Sequence, residues 1–197
     1  KQITDANGIN YNRVSSISSD FSQGPLKETG STFDLAIHGK GFFKLQGPDS
    51  VYYTRSGSFK LNPNGALVSQ EGYPVLDEGN APLEVIAAGA RISISANGQI
   101  SALDDQGNRE EIGRVAVVDI DNPELLKRKN NTSFYLEQGG QELPLEEVQV
   151  VSGSLELSNV NMVDEMARMI NGSRLYEAYH KVLKGYSTLG DKLDELG

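Results

Sequence analysis

The chain contains no cysteine and no tryptophan. Without thiols, disulfides and thiolate metal sites are excluded outright. Without indoles, and with 8 Tyr and 6 Phe as its whole aromatic supply, it has little material for an aromatic-lined cleft. Basic residues are also few, with 18 Lys and Arg against 27 Asp and Glu, a net charge of −9. The densest basic run is the triplet Lys127-Arg128-Lys129. This balance argues against nucleic acid as a partner, because phosphate binding rests on Lys/Arg clusters. It argues equally against an anionic membrane surface. No apolar run approaches the eighteen or so residues of a transmembrane span, so no membrane insertion is expected. No secretory signal is visible at Lys1, in a sequence that opens without Met.

Glycine, by contrast, is plentiful at 21 of 197 residues, and it punctuates short alternating runs. Residues 1–32 carry little periodicity; Asn7-Gly8, Gly24-Pro25 and Gly30 interrupt a polar, Ser-rich stretch. That segment reads as an extended linker, with Ile9, Val14, Ile17 and Phe21 able to lie along a neighbouring surface. From Phe33 the pattern sharpens. Phe33, Leu35 and Ile37 alternate as in a strand, and Gly39-Lys40-Gly41 turns the chain into a second strand at Phe42. Further strands are expected at 51–54, 58–61, 66–69 and 73–76, with Pro74 marking an edge. Asn62-Pro63-Asn64-Gly65 is a strong turn signal. Residues 91–95 and 99–103 form a hairpin around Asn97-Gly98. The β-branched run Arg114–Ile120 is the candidate central strand. Pro123–Lys127 suits one helical turn, and 133–136 and 148–151 are strands. Short strands at this spacing predict a mostly β fold: a compact antiparallel β domain over 33–157.

The pattern changes after Leu157. Asn161 is placed to cap a helix, with Asp164 and Glu165 in its first turn, where carboxylates suit the helix dipole. Met162, Met166 and Met169 share a face, and a break in register is expected near Gly172. Beyond it Leu175, Tyr179, Val182, Tyr186, Leu189, Leu193 and Leu196 recur in steps of four and three, the heptad signature of a narrow seam. Burying all seven would contribute on the order of 10 kcal/mol. No second helical pattern of comparable length precedes it, so residues 158–197 read as a coiled-coil-type helix awaiting a partner.

Catalytic and metal-binding signatures are thin. His38 and His180 are the only histidines, and no HExxH-type spacing accompanies them. No Ser sits in G-x-S-x-G. Gly39-Lys40-Gly41 fails as a dinucleotide loop because position 44 is Lys. Asp104-Asp105, Glu110-Glu111 and Glu146-Glu147 are acidic doublets, which in turns are ordinarily solvated rather than glycosidase pairs. No cofactor, metal or catalytic residue is assigned.

Three stretches together resemble the bacterial flagellar axial proteins, the subunits of rod, hook and hook–filament junction. The first contains Asp34, Gly39, Gly41, Phe42 and Phe43. The second contains Tyr53, Thr54, Arg55, Gly57, Phe59, Gly65, Gly72 and Tyr73. The third contains Ser158, Asn159, Val160, Asn161, Glu165, Met166, Tyr176 and Glu177. Gly24-Pro25-Leu26, the run Gly113–Ile120 and Asn122–Leu126 are more similar to the proximal than to the distal rod type. The resemblance implies a non-enzymatic subunit whose N- and C-terminal helices pair in a tubular core. It also implies export by the flagellar type III apparatus without a cleaved signal. The family's N-terminal core helix would be missing here, with Lys1 in the linker beyond it. Partners implied are copies of the chain and other rod or hook subunits, in a rod that crosses the periplasm and transmits torque. The alternative of another class is a secreted glycan-binding or glycan-hydrolysing β module with a dimerising helix.

Overall fold

A computed structural model describes residues 19–85, 91–103, 107–145 and 147–194, and from Tyr186 onward it describes the helix backbone alone. Ile9, Val14, Ile17, Asp104, Asp105, Glu146 and Leu196 lie outside the described residues. The chain divides into two units, one ending at Leu157 and one starting at Ser158.

The first unit is antiparallel β. Its strands are β1 (Leu26–Glu28), β2 (Leu35–Ile37), β3 (Phe42–Gln46), β4 (Val51–Thr54), β5 (Phe59–Leu61), β6 (Leu67–Ser69), β7 (Arg91–Ile94) and β8 (Gln99–Leu103). There follow β9 (Arg109–Arg114), β10 (Val117–Ile120), β11 (Leu126–Arg128), β12 (Ser133–Leu136), β13 (Glu142–Pro144), β14 (Val150–Ser152) and β15 (Ser154–Glu156). A six-stranded sheet runs β11-β12-β4-β3-β10-β13, and a three-stranded sheet runs β7-β8-β9. Three two-stranded ladders, β1-β15, β14-β2 and β5-β6, complete the unit.

Strand periodicity explains the core. Side chains alternate across a sheet, and β3 and β4 are buried on both faces. Phe43, Leu45 and Tyr52 join the larger cluster with Leu35, Ile37, Leu67, Val75, Ile100 and Val115. Their neighbours Phe42 and Tyr53 join Ile120, Leu126 and Phe134 in a smaller one. Phe21 packs edge-on against Phe42 and Phe134, with ring centroids 5.2 and 5.1 Å apart.

Local readings fare differently. The hairpin at 91–103 forms with Arg91 opposite Leu103, and Pro123–Leu125 is a single 3₁₀ turn capped by Asn122. Two expectations are corrected. Arg114–Ile120 is not one central strand: β9 ends at Arg114 in the small sheet and β10 begins at Val117 in the large one. Between them, Val115 bridges Asp77 and the Ala116 amide donates to the Leu76 carbonyl, so one β-branched run serves two sheets. Residues 73–76 make isolated bridges rather than a continuous strand, Pro74 to Val68 and Val75 to Leu45. Part of the expected linker is also built into the β unit, as β1.

The second unit is α1 (Met162–Asp194), a helix of 33 residues and, at 1.5 Å per residue, about 50 Å long. The Asn161 side chain accepts from the Val163 amide at 3.1 Å, the expected N-cap. The helix passes Gly172 without interruption.

Candidate assembly surface

The heptad residues fall on α1 as the spacing requires. Leu175, Tyr179 and Val182 are 57%, 64% and 55% exposed. Tyr186, Leu189 and Leu193 continue the same backbone stripe. The methionine stripe is equally open, with Met162 and Met169 exposed and Ile170 beside them. At 3.6 residues per turn, the Met162–Met169 stripe lies about 140° around the axis from the Leu175–Val182 seam. The register shift anticipated near Gly172 is therefore a change of face along an unbroken helix. A single helix cannot cover either stripe by itself. Around them the helix surface is polar: Glu165 pairs with Arg168 at 3.1 Å, and the Tyr176 ring meets His180 edge-on. Glu177 and Met166 are exposed. Ser158 precedes the helix and accepts from the Val160 amide at 3.2 Å. Asn159, also ahead of the helix, is exposed.

Within the β unit, the motif residues of the first two stretches have structural work that the geometry makes explicit. Arg55, just past β4, lies at the centre. Its Nε and Nη2 donate to Glu156 Oε2, both at 2.9 Å. Its Nη1 donates to the Gly41 carbonyl and its Nη2 to the Gly39 carbonyl, each at 2.9 Å. The pair is nearly closed to water, at 14% and 8% side-chain exposure. Removing one partner would strand the other charge, at a cost of about 3–5 kcal/mol. Gly41 sits at φ +121°, and a Cβ there would press on Leu145 and Val117 at 2.8 Å. Gly57 is tighter: an added Cβ would lie 1.7 Å from the Leu35 carbonyl oxygen. Both glycines are thus fixed by sterics rather than by chemistry.

Tyr53 and Lys44 stand opposite each other on β4 and β3 and share one acceptor. Tyr53 Oη donates to Glu142 Oε1 at 2.6 Å and Lys44 Nζ to Glu142 Oε2 at 2.8 Å. Lys44 also donates to Asn80 at 2.5 Å. Burial, then the Glu142 hydrogen bond and charge, push the Tyr53 phenol well above its usual range. Thr54 Oγ1 donates to the Thr132 carbonyl at 2.7 Å. Asp34 accepts from Thr29 Oγ1 at 2.7 Å. Phe59 packs edge-on to Phe43, and Tyr73 to Tyr52. Gly65 and Gly72 occupy positive-φ turns at +83° and +90°.

The sequence did not point to Glu156, Glu142 or Lys44 as motif partners. Arg55 and Glu156 are 101 positions apart, and no local pattern links them. Of the residues weighed for chemistry, His38 is exposed in a turn, and Glu110 and Glu111 are exposed neighbours on β9, facing opposite sides of the strand. A cleft of about 60 Å³ lined by Thr54, Ser58, Glu71, Thr132 and Ser133 has room for a few waters at most. Among the described residues no group of His, Asp and Glu could hold a metal ion, and no helix is long and apolar enough to cross a membrane.

Known proteins with this pattern point in one direction. Residues 36–102 match the flagellar hook protein FlgE/F/G D1 domain, and residues 151–196 match the flagellar basal body rod FlgEFG protein C-terminal region. The flagellar basal-body rod protein FlgF of Caulobacter vibrioides is 31% identical over 189 residues, covering 96% of this chain and 75% of that protein. The flagellar basal-body rod protein FlgG of Buchnera aphidicola subsp. Schizaphis graminum is 33% identical, over 89% of this chain and 69% of that protein. The FlgG of Borreliella burgdorferi is 37% identical, over 83% of this chain and 64% of that protein.

Proposed function

Since the chain belongs to the flagellar rod and hook family, we propose that it is a structural subunit of the basal-body rod that acts by packing rather than by bond chemistry. The observation that carries this reading is the run of exposed large apolar side chains along α1, on a chain whose β unit closes its own core. Leu175, Tyr179, Val182, Tyr186, Leu189, Leu193 and Leu196 form the assembly seam. Copies of the chain and other rod or hook subunits supply the facing helices, in a tubular array that transmits torque across the periplasm. Residues 33–157 are the outward β domain, 158–197 the core-packing helix, and 1–32 the connection from the family's N-terminal helix. The flagellar type III apparatus delivers the subunit.

The finer assignment is to the proximal part of the rod. It is supported by the likeness of Gly24-Pro25-Leu26 and Gly113–Ile120 to that type; relatives named FlgF and FlgG match at similar identity. The deciding experiment is deletion of the gene followed by imaging of isolated basal bodies. Assembly that stops early, with the proximal rod incomplete and no distal rod or hook, is the expected result. A distal rod subunit would leave a short proximal stub instead, and complete rods with normal swimming would overturn the rod assignment.

A further inference from the structure

The strands that open and close the β unit are zipped together. In β1 and β15, Leu26 stands opposite Glu156 and Glu28 opposite Ser154. The ladder is extended at both ends: the Thr29 amide donates to the Gly153 carbonyl at 2.7 Å, and the Leu157 amide to the Pro25 carbonyl at 2.9 Å. The chain therefore enters at Gly24-Pro25 and leaves at Leu157 along one edge, side by side and in opposite directions.

Pulled apart at that end, an antiparallel ladder opens one bond at a time. The ladder itself is thin, since all three residues of β1 are exposed. The buried Arg55–Glu156 pair sits at its opening end. Glu156 Oε1 accepts from the Gly24 amide at 3.0 Å while Oε2 holds Arg55. Gln23 continues the lock, donating to the Ile37 carbonyl at 2.9 Å and accepting from the Gly39 amide at 3.0 Å. Arg55 in turn grips the Gly39 and Gly41 carbonyls. The Arg55–Glu156 pair thus ties entry segment, exit strand and a central loop, Glu156 holding the Gly24 amide and Arg55 the loop carbonyls through its fork geometry.

We propose that Arg55 and Glu156 form a clasp that positions the chain segments entering and leaving the β unit, so that both are presented together for assembly. The pair is a positioning device, and its role in assembly rests on the rod reading above.

Arg55→Met and Glu156→Gln test it. Glu156→Gln keeps the shape and an oxygen acceptor for the Gly24 amide but removes the charge, which guards against simple unfolding. Amide hydrogen exchange is read first. Exchange at Gly24 and Leu157 should rise about tenfold or more beyond any rise at Phe43 and Leu45, whose exchange reads the global loss of stability that breaking a buried pair brings. Unchanged exchange at Gly24 and Leu157 overturns the clasp. Rod assembly is read second, in cells whose only copy is the variant, and should fall. Because the chain has no cysteine, a covalent substitute can be added cleanly. Pro25 and Leu157 are adjacent across the ladder, within disulfide reach. In the Arg55→Met background, Pro25→Cys with Leu157→Cys should restore assembly when oxidised. Failure of the formed disulfide to restore rods overturns the positioning role and leaves the rod reading intact. Complete rods after gene deletion would remove the rod reading and leave the exchange result standing.

Discussion

The β unit and the helical unit of this chain treat apolar residues in opposite ways. In the β unit Leu35, Phe43, Leu45, Leu67 and Ile100 are wholly buried, and its inward charges find partners, Lys44 with Glu142 and Arg55 with Glu156. In α1 the large apolar residues from Met162 to Leu183 are more than half exposed. A fully buried Leu or Phe contributes roughly 1.5–3 kcal/mol, and the β unit realises that gain within one chain. The large apolar side chains of the helix stay exposed instead. On the rod reading proposed above, the difference separates folding from assembly: the β unit buries its apolar residues within the chain, and the helix offers its own to other subunits.

The sharpest way to break the comparison is a charge in the seam. Leu189→Asp should abolish incorporation into rods while the β unit melts as before; motility and thermal unfolding measured together decide it. Normal swimming would sink the seam assignment. The converse substitution targets the β unit. Gly57→Ala forces a Cβ into the Leu35 carbonyl, and a clash of that depth should cost about 4 kcal/mol or more. Chemical denaturation should show the loss, with α1 contributing nothing to it.

The smallest effect concerns pH. The Tyr53 phenol is raised above its ordinary value of 10.0, so the folded state holds the proton more tightly than the unfolded chain does. Its contribution is complete below pH 10 and is lost as pH rises from there through the raised folded value. The β unit should therefore weaken above about pH 10, with a slope that flattens in Tyr53→Phe. An unchanged slope would show that titration of this phenol does not set the alkaline stability of the β unit.

Much of the fold was legible because its cause is local. Alternation placed β2, β3, β4 and the 91–103 hairpin, Asn161 marked a helix start, and the four–three spacing marked α1. Among the missed elements, β1, β13 and β15 are three-residue strands with few buried side chains, and such strands carry little periodic signal; β9 was missed as well, and β11 takes Leu126 and Lys127 out of the expected helical turn. The division of Arg114–Ile120 was illegible for another reason: Arg114 pairs with Gln99 in the preceding strand while Val117 and Val118 pair with Phe43 and Phe42 far back in the chain, and a β-branched run looks the same in either sheet. Phe21 was noted as able to lie on a neighbouring surface, and it fills the space between Phe42 and Phe134.

The sequence by itself determined the two kinds of element, the long helix and, through three motifs in order, the flagellar family. Those features depend on neighbours three or four residues away, or on words of a few residues. Only the tertiary structure decided why the motif words are spelled as they are. Gly57 is glycine because Leu35 crosses it, and Arg55 is arginine because Glu156, Gly39 and Gly41 converge on it. Both reasons are contacts between distant segments, set by how the sheets stack and not by any pattern along the chain.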